Sequence, residues 1–132
     1  MKYLCLVYEK EETLNGLSRD EWAALRRETL GFLDDLAAQG RLVGAEALQS
    51  ARNAVTLRVR SRKLTVLDGP FAETKEQIGG YFLIEAKDLN EAIQIASRWP
   101  GARLGTLEIR PVEPVLRDDG RYLPLRPPGE GV

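Results

Sequence analysis

Short runs of alternating apolar and polar residues separate two longer stretches of helical spacing, and that contrast predicts the elements. From Lys2 to Tyr8 the chain reads as a first strand, with Tyr3, Cys5 and Val7 on one face and Leu4, Leu6 and Tyr8 on the other. Both faces are apolar. Glu9 to Gly16 reads as a charged loop. Ser18 and Glu21 then have the spacing of a capping box, with Leu17 and Trp22 placed as a hydrophobic staple. Trp22, Leu25, Thr29, Phe32, Leu33 and Leu36 recur at spacings of three and four and predict the inward stripe of a helix that stops at Gly40.

Beyond the helix, Arg41 to Leu48 reads as a short strand or extended piece broken by Gly44, and Gln49 to Asn53 as a polar connection. Val55, Leu57 and Val59 alternate with Thr56, Arg58 and Arg60, which predicts a strand with one wet face. Leu64 to Leu67 returns after a tight polar loop, completing a hairpin that delivers Asp68 at its end. The cations Arg58, Arg60, Arg62 and Lys63 read as a solvated face, since no aromatics interleave with them as a nucleic-acid platform needs. Gly80 to Ala86 reads as a strand apolar on both faces. Asp88 and Glu91 start a second helix whose stripe is Leu89, Ala92, Ile93, Ala96 and Trp99, and Pro100-Gly101 ends it. Leu104, Leu107 and Ile109 make the last strand.

The stretch from Leu67 to Gly80 concentrates the unusual residues. Asp68 and Gly69 supply turn chemistry, and Pro70 fixes its own φ and restricts Gly69. Phe71 follows as an aromatic in a loop, and Glu73 to Gln77 is mostly charged or polar. Asp68-Gly69-Pro70-Phe71, continued by Ala72-Glu73-Thr74-Lys75-Glu76, resembles the DGPF branch of the YCII-related family, and the resemblance spans roughly Met1 to Pro114. It implies a dimeric α/β barrel. Few members have an assigned activity: distant relatives look like dehydrochlorinases or lactone isomerases, and DGPF proteins often accompany extracytoplasmic-function sigma factors. Some YCII relatives pair an inward histidine with an aspartate; this chain has no histidine, so that mechanism is closed to it.

Composition narrows the chemistry further. The 132 residues are 43% hydrophobic, enough for one domain with a core. Residues 1–112 are expected to form it, and 113–132 a proline-rich arm or tail, because five of the seven prolines lie from Pro111 onward. Asp119-Gly120 would turn a small hairpin there. With 19 basic and 20 acidic residues the net charge is −1, so no field gathers nucleic acid or an anionic membrane. No apolar run is long enough to span a bilayer, and the expected location is cytoplasmic. The single Cys5 lies in an apolar strand and reads as packing. Without histidine there is no imidazole base and no conventional zinc site; neither metal nor cofactor is expected, and proton transfer falls to Asp, Glu, Lys or Tyr.

The order of elements fits an α+β ferredoxin-like sandwich with an added β-hairpin. Two helices cover one sheet face, so the other is expected to be covered by a second copy, in a homodimer that closes an α/β barrel. Asp68 is the candidate acid or base, since partial desolvation beside Pro70 and Phe71 would suit it to move a proton at neutral pH. Its alternative is an Asx-type turn or a cap on loop amides. Tyr8, Thr29, Gly69, Pro70, Phe71, Glu73, Lys75 and Tyr81 are the candidate ligand contacts; the alternative for Thr29 is a bond back to its own helix, and for Glu73 and Lys75 a place as solvated loop charges. Two functions from different classes follow. One is a small-molecule-binding module connected to sigma-factor regulation. The other is a cofactor-independent lyase or isomerase acting on a small cyclic organic acid.

Overall fold

In the computed structural model, residues 1–116, 118 and 122 are described. In chain order the elements are β1 (Lys2–Glu9), α1 (Glu11–Asn15), α2 (Arg19–Ala38), β2 (Leu42–Ala47), β3 (Val55–Arg60), β4 (Lys63–Asp68), β5 (Gln77–Glu85), α3 (Leu89–Ala96) and β6 (Thr106–Pro111). The longest element starts where the capping box predicts: Ser18 Oγ accepts from Glu21 N at 3.1 Å, and Glu21 Oε1 accepts from Ser18 N at 2.9 Å. Four strands form one sheet in the order β2-β5-β1-β6, every neighbour antiparallel. The α+β class is as expected.

The helices α2 and α3 lie against one face of this sheet. Tyr3, Cys5 and Val7 of β1 point into that layer and are at most 3% exposed; Phe82 and Ile84 of β5 are wholly buried. Their opposite-face neighbours Leu4, Leu6, Tyr8, Tyr81 and Leu83 are only half-buried. Phe82 stacks on Trp99 with centroids 4.7 Å apart, and Phe32 meets both rings edge-on, which ties α2 to the sheet and to the turn after α3. Cys5 packs as a small hydrophobe, and burial pushes its thiol pKa up to about 12.

Several boundaries differ from the sequence pattern. The charged stretch after β1 contains the short helix α1, and β5 begins at Gln77, before Gly80. Leu104 follows a 3-10 turn at Pro100–Arg103, and the last strand begins at Thr106. In α3 the buried face is Ala92, Ile95 and Ala96, while Leu89 and Ile93 are exposed. Three neighbouring inward positions, two of them alanines, define the stripe that meets β1 and β6, and periodicity alone did not choose between adjacent stripes.

The hairpin departs most. Among the described residues it is a separate two-stranded ribbon hydrogen-bonded to no other strand, and Val55, Leu57, Val59, Leu64 and Val66, which share one face, are 53% to 61% exposed. One dry and one wet face had been expected; both are wet within the protomer. The turn residues Ser61 and Arg62 have φ of 50° and 63°, the backbone that two-residue hairpins favour. The turn expected at Asp119-Gly120 lies outside the described residues, as does most of the proline-rich stretch 113–132.

Candidate functional site

A cavity of about 820 Å³ opens between the N-terminal half of α2 and the ends of β1, β2 and β5. Val7, Ala45 and Gly80 form its sheet side, and Leu25, Thr29 and Leu33 its helix side. Trp22, Leu30, Leu48, Ile78 and Leu104 also line it, although each is between 36% and 51% exposed. Large apolar side chains left wet while facing one hollow are the ordinary lining of a small-molecule site.

At one end of this apolar space stands Glu9, the last residue of β1. Strand pairing sets it there. Val7 pairs with Gly80 and Tyr8 with Ile78, leaving Gly79 as the extra residue of a β-bulge. A Cβ on Gly79 would sit 2.6 Å from Glu9 Cδ, so only the missing side chain lets the carboxyl lie across that strand. Among the described residues the Glu9 carboxyl has no hydrogen-bond or ion-pair partner. Burial, and secondly the nearby charge of Glu11, push its pKa above the ordinary carboxylate value. Glu11 has the opposite environment. The Ser50 hydroxyl and the Ala51 N–H, which donates to Glu11 Oε2 at 3.1 Å, hold its pKa low. Two neighbouring carboxyls are thus driven apart, one toward holding a proton and one toward losing it.

A polar cleft of about 770 Å³ adjoins the cavity and shares Glu11, Asn15, Ser50 and Gln77 with it. Lys75 and Thr74 line the cleft, presented by a loop that Gln77 braces by donating from Nε2 to the carbonyls of Ala72 at 2.9 Å and Thr74 at 3.1 Å. Of the residues singled out from sequence, Thr29 and Tyr81 line the main cavity and Lys75 the cleft. Thr29 Oγ1 donates to the Leu25 carbonyl at 2.8 Å, the back-bond of a threonine within a helix.

Tyr8, Asp68, Gly69, Pro70, Phe71 and Glu73 line neither space. Within the protomer Asp68, expected to be partly desolvated beside Pro70 and Phe71, ends β4 exposed, opposite Val55. The bend serves the hairpin base. Gly69, at φ 97°, donates its N–H to Ala54 at 2.7 Å and accepts from Thr56 Oγ1 at 2.8 Å. Phe71 is 73% exposed, with the Arg58 guanidinium 5.1 Å from its ring centroid. Tyr8 is half-buried on the sheet face away from the helices. In the sequence Glu9 reads as the first residue of a charged loop. The available signal was an acid ending a doubly apolar strand, with Gly79-Gly80 in a strand that could pair with it.

Among the described residues, no group of three or more His, Cys, Asp and Glu is placed to hold a metal ion, and no helix is long and apolar enough to cross a membrane.

Residues 1–116 match the YCII-related domain. Among curated proteins, the chain is 33% identical over 114 residues to an uncharacterised protein of Rhizobium meliloti strain 1021, covering 85% of this chain and 92% of that one. Among solved structures it is similar in fold to 5-chloro-2-hydroxyhydroquinone dehydrochlorinase from Burkholderia phenoliruptrix AC1100 in complex with 2,5-dihydroxybenzoquinone. The TM-score is 0.52 at 16% identity, covering 86% of this chain and 94% of that one. The chain belongs to the YCII-related family.

Proposed function

We propose that this member of the YCII-related family binds a small, largely apolar molecule between α2 and the sheet, with Glu9 as its polar anchor. One observation carries the reading: a partly desolvated, partnerless carboxyl is held against a glycine at the end of a cavity whose apolar lining is left exposed. Titrating the protein with 1-naphthalenemethanol, a neutral ring probe, tests it by chemical-shift mapping. Shifts should cluster on the Trp22 indole, Thr29, Ile78 and Gly79; a map with no shifts there removes the reading.

A second reading is favoured by the upward push on Glu9. A carboxyl whose pKa is raised by burial gives up and takes back a proton closer to the working range of a cofactor-independent lyase or isomerase than an ordinary carboxylate does. The dehydrochlorinase named above supports this class by fold alone. In this chain Glu9, which lines the cavity, would be the proton carrier. Asp68 serves that role only where an assembled partner brings the exposed bend over a cavity.

We also infer a homodimer of ferredoxin-like protomers joined through the helix-free sheet face into an α/β barrel. Leu4, Leu6, Tyr8, Tyr81 and Leu83 support it, as an apolar stripe that no helix among the described residues covers.

A further inference from the structure

We propose that the cavity selects an organic amine: a ring compound whose protonated nitrogen sits against Glu9 and whose apolar body lies along Trp22, Leu30 and Ile78. The inference rests on the reading of this space as a binding site and names what enters it. It departs from the organic acid that the resemblance implied.

The charges around the cavity decide the class. Glu9 has its carboxyl turned over Gly79 with no partner among the described residues, so one strong acceptor faces an apolar space unused. Glu11, whose charge acts on Glu9, is already engaged by Ser50 and by the Ala51 N–H, and adds negative potential without competing for a ligand donor. Two cations also line the cavity, Arg19 and Arg26, which lie with Trp22 along one side of α2 at spacings of three and four. Both are exposed. Among the described residues neither arginine is ion-paired with Glu9. A carboxylate ligand would therefore meet like charge at the buried end. An ammonium would find a charge-assisted partner there, relieving the desolvation of Glu9 and the repulsion from Glu11 together.

Isothermal titration of the intact protein at neutral pH with three probes on one ring system separates the outcomes. The probes are 1-naphthylmethylamine, 1-naphthalenemethanol and 1-naphthoate. The amine should bind about tenfold tighter than the alcohol, the scale of one charge-assisted hydrogen bond, and the naphthoate weakest. In Glu9→Gln the tenfold preference should collapse to within about twofold. Gly79→Ala, which displaces the carboxyl without removing it, should do the same, and circular dichroism checks that both variants fold. Equal binding of amine and alcohol to the wild type, or a naphthoate that binds tightest, overturns the amine while leaving the cavity as a binding site. Failure of all three probes removes the cavity reading and this inference with it.

Discussion

The carboxyl of Glu9 occupies the space where a side chain on residue 79 would begin: a Cβ on Gly79 would lie 2.6 Å from Glu9 Cδ. A bulge in β5 and the end of β1 meet at that point, so the register of two central strands sets the direction of one acid.

Gly79→Ala should therefore move the acid rather than unfold the protein. The group it strikes is the far end of a flexible side chain, so stability should change by no more than about 0.5 kcal/mol. The Glu9 carboxyl, pushed toward solvent, should titrate closer to the ordinary carboxylate value in a carbon-detected NMR titration. An unaltered titration would show that the glycine does not place it.

Glu9→Gln should stabilise the protein at neutral pH. Burial raises the folded-state pKa of Glu9, so above that pKa the folded protein carries a charge it solvates poorly, and the cost fades as pH falls toward the unfolded value. The variant should melt a few degrees above wild type near pH 7, with the difference closing toward about pH 4. The lowered pKa of Glu21, which favours folding above its own titration range, is common to both proteins and drops out of the comparison. A variant less stable than wild type at pH 7 would contradict the sign.

The hairpin turn is improvable. Ser61 and Arg62 hold positive φ without being Asn or Gly, which costs on the order of 1 kcal/mol each. Ser61→Asn with Arg62→Gly should slow hydrogen exchange of the β3 and β4 amides by about fivefold or more, while the sheet amides change little. Exchange in the ribbon that is unchanged or faster would mean that its opening is not limited by the turn.

Light scattering at micromolar concentration should give twice the mass of the 132-residue chain. Leu83→Glu, which sets a charge amid Leu4, Leu6 and Tyr81, should yield folded monomer. A wild-type protein that runs as monomer would leave the helix-free face without its inferred cover.

Asp68→Asn separates the bend from the cavity. Because Asp68 is exposed and lines neither space, the affinity for 1-naphthylmethylamine should change less than twofold, against the collapse expected of Glu9→Gln. A loss as large as that of Glu9→Gln would place the Asp-Gly-Pro-Phe bend over the ligand.

Local signals carried much of the fold. Ser18 with Glu21 marked the start of α2, Asp88 with Glu91 that of α3, and the doubly apolar runs marked β1 and β5, because caps and alternation act over a few neighbouring residues. The hairpin's strands were legible too, but not its isolation. Val55, Leu57 and Val59 show the same alternation whether a sheet covers them or water does.

The site was harder to read for the same reason. Thr29 was visible as a polar break in an apolar stripe, and it does line the cavity. Glu9 was not, because an acid after a strand is ordinary until the partner strand is known. By itself the sequence determined the α+β class, the caps, the buried thiol of Cys5, and the lack of any imidazole chemistry, all of which depend on residue identity and short spacing. Only the tertiary structure decided that the Glu9 carboxyl lies against Gly79 and that Asp68 lines neither space of the protomer. Register between strands some 70 residues apart is set by the packing of the whole sheet, and no local pattern encodes it.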